Sequence, residues 1–246
     1  MFMLIVALGC VSAAATAQTA GTLTPSQVEI ACAPPPVLVK TNGNSLRIAT
    51  VQGPDPRTVF GHPERLHVKG GSAKGMQPGQ LYFVRRPVHS YDYRADLPTV
   101  VQTAGWVRVE TTRDRSAVVS VEHVCGEILA GDYLEPFEAP AAPATAGTPA
   151  RGEPDFDARG RILFADAQRV MAGNGEYMMI DRGARHGVVA GAQFTIYRDL
   201  GVSGVPLNAI GEATAVNIGS GLSVVRIDAA RDAVQSGDYV VPHKKP

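Results

Sequence analysis

An all-β fold of two small closed barrels in tandem is what this sequence predicts. Three observations carry that expectation: an internal repeat, glycines at matched places within it, and short strand-like runs without a sustained helical period. From Leu66 the first copy reads LHVKGGSAKGMQPGQLYFVRR and from Met178 the second reads MMIDRGARHGVVAGAQFTIYR. They align without a gap, so that Gly71, Gly75 and Gly79 fall on Gly183, Gly187 and Gly191. The match resumes from Gly105 and Gly211 and closes on the turns Gly131-Asp132-Tyr133 and Gly237-Asp238-Tyr239. Each unit holds roughly 80 residues, small but sufficient to close a core.

The elements follow in chain order. Residues 1–17 read as a signal peptide: an apolar run from Met1 to Ala7, small residues, and Ala15-Thr16-Ala17 as a cleavage pattern, although no basic residue precedes the run. That run is short of the about 20 apolar residues a membrane span needs. Ala7-Leu8-Gly9-Cys10 loosely resembles a bacterial lipobox, so a lipid anchor at Cys10 stands as the alternative to its removal with the leader. Residues 18–57 form an extended arm, stiffened by Pro34-Pro35-Pro36 and holding one strand-like run from Leu46 to Val51. The first barrel unit spans 58–137. Residues 138–157 are a Pro/Ala-rich linker with too few large apolar side chains to pack a core. The second unit spans 158–243, and 244–246 are a tail.

Within each unit, aromatic and β-branched runs follow a glycine turn: Leu81 to Val84 in the first, Phe194 to Tyr197 in the second. A hairpin comes next, Trp106 to Val109 and Ser116 to Val121 in the first copy. In G-x-x-x-G-x-x-x-G, the first glycine serves a turn out of a strand, the second a left-handed residue and the third a turn into the next strand. Gly131, Asp132, Gly237 and Asp238 are read as turn residues, the carboxylates accepting backbone N–H bonds.

Cysteine usage agrees with export. With Cys10 gone, Cys32 and Cys125 remain as an even pair suited to an oxidising compartment, and a disulfide between them is expected; two unrelated thiols are the alternative. Position 231, aligned with Cys125, is Arg, which fits a bond made to something outside the repeat.

The string from Met179 to Gly191, continuing through Phe194-Thr195-Ile196 to Ile210-Gly211-Glu212, resembles the V-I-D-x-G-x-x-x-G-V-x-x-G segment of certain bacterial envelope β-barrel modules. These are the C-terminal domain of flagellar assembly protein T and the β-domains of rod-shape-determining protein C. The resemblance implies an exported, non-enzymatic scaffold that works by contact with other envelope components. It carries over no catalytic residue.

The residues themselves point to no reaction. Formal net charge is zero, from 23 basic and 23 acidic residues, which lacks the electrostatic footprint of a nucleic-acid binder. His62, His67, His89, His123, His186 and His243 show no metal-ligand spacing, and no cofactor is expected. Asp181 and His186 lie close in sequence, but their first-copy counterparts are Lys69 and Lys74, so solvated turn residues are the simpler reading. The candidate contact surface is the connection after Arg86, six residues longer in the first copy than in the second, with Arg85, Arg86, Tyr91, Tyr93 and Arg94. Folding of the tyrosines back onto their own barrel is the alternative. The expected function is an exported, periplasmic or envelope-associated binding or structural module whose partner is protein or cell wall. Two alternatives are an exported hydrolase with a site between the units and cell-wall carbohydrate binding by the first unit.

Overall fold

The computed structural model describes residues 23–36, 46–49, 58–88, 100–140, 152–165 and 169–244. The expected leader, Cys10, Tyr91, Tyr93, Arg94 and most of the linker lie outside these residues. Helix α1 (Pro25–Cys32) comes first. The first unit then runs β1 (Leu46–Ile48), β2 (Val59–Phe60), β3 (Arg65–Lys69), β4 (Leu81–Val88), β5 (Val100–Thr112), β6 (Ser116–Val124), β7 (Ile128–Leu129) and β8 (Tyr133–Pro136). The second runs β9 (Gly160–Ala165), β10 (Met171–Ala172), β11 (Tyr177–Ile180), β12 (Gln193–Arg198), β13 (Asn208–Ile218), β14 (Ser223–Ala230), β15 (Val234–Gln235) and β16 (Tyr239–Pro242).

Six strands of each unit close a barrel, in the orders β1-β3-β6-β5-β4-β8 and β9-β11-β14-β13-β12-β16, while β2-β7 and β10-β15 form two-stranded sheets beside them. The duplication therefore covers eight strands, and it begins at β1 and β9, upstream of the point where the two sequences visibly match. Closure depends on distant pairings. Leu46 of β1 lies opposite Leu134 of β8, and Val240 of β16 opposite Gly160 of β9.

Period-two alternation fills each interior. In β3, Leu66 and Val68 point inward while Arg65, His67 and Lys69 are exposed; in β6, Ala117, Val119 and Val121 turn inward. The first core joins these to Ile48, Met76, Tyr82, Val84, Val107, Val109, Ile128 and Leu134. In the second, Ile162, Met178, Ile180, Phe194, Ile196, Val225, Ile227 and Val240 occupy the same role.

The glycine pattern has a geometric cause. A Cβ on Gly71 would sit 2.1 Å from the Arg113 carbonyl oxygen, and one on Gly183 would sit 2.5 Å from that of Gly219. The chain thus passes directly against the β5–β6 or β13–β14 hairpin turn, and only glycine fits. One 3₁₀ turn later, Gly75 and Gly187 adopt the left-handed conformation, with φ of 79° and 80°.

Segment 18–57 departs from the expected extended arm, and the first barrel begins before residue 58. Pro25–Cys32 is helical because Thr24 and Gln27 form a reciprocal capping box, Gln27 N donating to Thr24 Oγ1 at 3.3 Å and Thr24 N to Gln27 Oε1 at 3.0 Å, with Pro25 preset for the first turn. It stops at Cys32 because Ala33 precedes Pro34 and takes an extended ψ of 152°. Further on, Leu46–Ile48 is a strand of the first barrel itself.

Candidate functional site

The two barrels differ on one outer face, and that difference positions the site. In β4, Tyr82 and Val84 enter the core, while Leu81 and Phe83 face outward and are buried with Trp106, Phe137 and Ala31. Phe83 and Phe137 lie 4.4 Å apart between ring centroids, and Trp106 lies 5.6 Å from Phe137. Helix α1 covers this aromatic face. At the repeat-related positions the second unit has Thr195, Glu212 and His243, and there the Thr195 hydroxyl and His243 Nε2 share a hydrogen bond at 2.9 Å. A polar face of that kind offers a helix no apolar seat.

Cys32 at the end of α1 is bonded to Cys125 just after β6, with Cα atoms 5.4 Å apart, as expected from the sequence. His123 stacks on Trp106 beside this bond, centroids 4.3 Å apart. Burial, with the charge of His62 as a second contribution, pulls its imidazole below the ordinary histidine value. Unfolding lets that ring take up a proton, so its contribution to stability is fully present above about pH 6.5 and is lost as pH falls through and below that value. Urea titrations of the wild type and His123→Gln at pH 7.5 and 5.0 are expected to show the smaller loss in the variant.

The opposite side of α1 meets the second barrel. Tyr177 donates its hydroxyl to Glu29 at 3.1 Å, and Asn217 Nδ2 donates to the carbonyls of Ile30 and Pro34, each at 3.3 Å. Gly219 lies against Pro36, where a Cβ would be 2.7 Å from the Pro36 oxygen. The chain leaving the first barrel returns along α1, since Gln27 Nε2 donates to Pro140 O at 3.0 Å. Between these parts lies an open cleft of about 240 Å³, walled by Ile30, Ala31, Ala33, Pro35, Pro36, Phe83, Ala139 and Pro140, with Arg85, Glu138 and Asn217 as its polar lining.

Arg85 is the buried cation of the cleft. Its guanidinium lies 4.0 Å over the Phe83 ring, its Nε donates to Glu135 at 3.2 Å, and it donates to the Thr103 hydroxyl, which in turn donates to Ala33 O at 3.0 Å. Burial lowers its pKa and Glu135 opposes that shift, but an arginine retains its charge. The barrel and the end of α1 are thus joined through Arg85 and Thr103.

Of the residues expected on the contact surface, Arg85 and Arg86 are engaged within the first barrel, while Tyr91, Tyr93 and Arg94 lie outside the described residues. Arg86 grips Asp132 with two parallel bonds, Nε to Oδ1 and Nη2 to Oδ2, both 2.8 Å, and also donates to Glu127 O at 2.5 Å. The second unit repeats this: Arg198 holds Asp238 at 2.9 and 2.7 Å and donates to Ala233 O at 2.6 Å. As expected, both aspartates also accept backbone bonds, from Leu129 N at 2.8 Å and Gln235 N at 2.7 Å. The carboxylate hydrogen bond is the main cause that raises the pKa of Arg86 and of Arg198. Their strand positions make the pair a latch between β4 and the turn into β8, or β12 and the turn into β16, at the end of the β4–β8 and β12–β16 pairings.

Asp181 and His186 do not converge on a nucleophile. Asp181 accepts from Arg161 N at 2.7 Å and pairs with Arg182 at 3.3 Å, and His186 Nδ1 accepts from Gly183 N at 3.0 Å. Gly79, Gly131, Gly191 and Gly237 all take the positive φ of turn residues.

No protein-family model matches this sequence, and none of the curated proteins searched matches it either. Among the described residues no helix is long and apolar enough to cross a membrane.

Proposed function

We propose that the chain is an exported binding or structural module of the bacterial envelope, acting through contact with protein or cell wall, and that the cleft along α1 is its contact surface. The observation that carries this reading is the division of labour between repeated and unrepeated residues. The repeated glycines and Arg–Asp pairs are consumed in closing two barrels. The unrepeated α1, Pro35, Pro36, Phe83 and Arg85 converge on the cleft, whose mostly apolar walls carry a few fixed polar groups, a lining suited to an extended chain with apolar side chains. The disulfide supports an oxidising compartment. The hydrolase alternative would use the same cleft, whose lining supplies one carboxylate, Glu138, and no histidine, serine or cysteine.

The test places a photo-crosslinking residue at Ala139, beside the cleft, or at Val170, exposed on the second unit, in the full chain expressed in a Gram-negative envelope, alongside sedimentation with purified cell wall. A discrete crosslinked species or wall retention that depends on Ala139 and not on Val170 is expected. Equal products from both positions, with no wall retention, would refute the cleft. Loss of wall retention in Tyr91→Ala/Tyr93→Ala with the cleft intact would instead favour carbohydrate binding by the long connection.

A further inference from the structure

Three soft and borderline ligand atoms meet where α1 is fastened to the first barrel. The sulfurs of Cys32 and Cys125 and one ring nitrogen of His123 all lie within 4.8 Å of one another, at a partly buried position. They come from different places in the chain: the end of α1, the end of β6, and the residue after β6. Sequence spacing cannot reveal them, because only the fold brings Cys32 to the His123-x-Cys125 pair. We infer that this corner is a redox-gated metal site: oxidised, it is a disulfide, and once reduced it holds a thiophilic divalent cation such as Zn²⁺ through two thiolates and the His123 imidazole.

The geometry suits the exchange. Tetrahedral zinc with sulfur at about 2.3 Å and nitrogen at about 2.0–2.1 Å needs its ligand atoms roughly 3.3–3.8 Å apart. The three atoms already lie within reach of that separation, so side-chain rotation at the two cysteines is the main adjustment. Cα atoms 5.4 Å apart do not have to move together or far apart. Trp106 stacks on the face of the His123 ring, which fixes the ring plane while leaving its edge, where the nitrogens lie, uncovered by the indole, with one nitrogen within 4.8 Å of both sulfurs. A fourth position stays open to water or a small ligand, as in zinc sites with three protein ligands.

The chemistry balances with a dithiol as reductant. The reductant gives two electrons and two protons to the Cys32–Cys125 bond, forming two thiols, and itself becomes a disulfide. Zinc then displaces the two thiol protons to solvent and binds the two thiolates and the neutral imidazole. The consequence is structural. The metal replaces the covalent tie between α1 and the barrel, so the walls of the cleft survive reduction when metal is present and loosen when it is not.

The experiment uses the full mature chain with Zn²⁺ as the only added metal. Bound zinc is counted after exchange into metal-free buffer, for the oxidised and the reduced protein, with Co²⁺ absorption as a second readout of tetrahedral thiolate ligation. Expected are about one zinc per reduced chain, none per oxidised chain, and at least tenfold weaker binding in reduced His123→Ala. A reduced chain that takes no zinc overturns the inference. So does zinc bound equally by the oxidised form, or with equal affinity by His123→Ala. Circular dichroism of the reduced chain keeps the result interpretable: β signal lost on reduction is expected to return with zinc, and zinc binding without that return, or without the tetrahedral cobalt spectrum, also rejects the site.

Discussion

Replacing Cys32 and Cys125 together by serine is expected to cost the first unit about 4–5 kcal/mol. The bond closes a loop with a sequence separation of 93, and the chain-entropy relation gives roughly that value for such a loop. The full amount appears only if α1 and the barrel unfold as one unit, and the shared core of Ala31, Leu81, Phe83, Trp106 and Phe137 is the reason to expect that they do. Trp106 is the only tryptophan in the chain, so its fluorescence reports the first unit and no other. At a urea m-value of about 1–3 kcal/mol/M, the midpoint read from Trp106 should fall by roughly 1–5 M. A fall below about 0.5 M would mean that α1 detaches without the barrel, so that the bond restrains only the helix.

The second large effect belongs to the latches. Asp132 and Asp238 carboxylates are 4% and 6% exposed, whereas Arg86 and Arg198 side chains are 25% and 16% exposed. The two ends of each pair are therefore not equivalent. Removing the arginine strands a buried carboxylate with one backbone N–H, while removing the aspartate leaves a guanidinium that can turn to water. Arg86→Met is expected to cost about 3–5 kcal/mol and Asp132→Asn about 1–3 kcal/mol. Arg198→Met should destabilise the second barrel by a similar amount and leave the Trp106 transition nearly unmoved. Equal movement of the Trp106 transition by Arg86→Met and Arg198→Met would show instead that the barrels unfold together.

The barrels were legible because their determinants are local and repeated: glycine turns, alternating valines and the hairpin between Trp106 and Val121. Three features were not. Helix α1 is eight residues long and too short for a convincing period, although Thr24-Pro25-Ser26-Gln27 carries the signature of a helix start. The latch joins residues 46 apart, and a contact of that range is invisible to a reading of nearby residues. A signal existed even so, because in the matched stretches from Leu66/Met178 and from Gly105/Gly211 Arg86/Arg198 and Asp132/Asp238 are the only identical charged residues. The aromatic face was hidden in another way. Phe83 reads as one more strand residue until β4 is seen to be buried on both sides, by the core within and by α1 outside.

The fastening of α1 also imposes an order of events on the emerging chain. Cys32 appears early and its partner only 93 residues later. Until then the only other cysteine already made is Cys10. Cys125 arrives only nine residues ahead of Leu134, the residue that closes the first barrel against Leu46. Helix attachment and barrel closure thus become possible at nearly the same point along the chain, so that neither the bond nor the barrel can be complete long before the other.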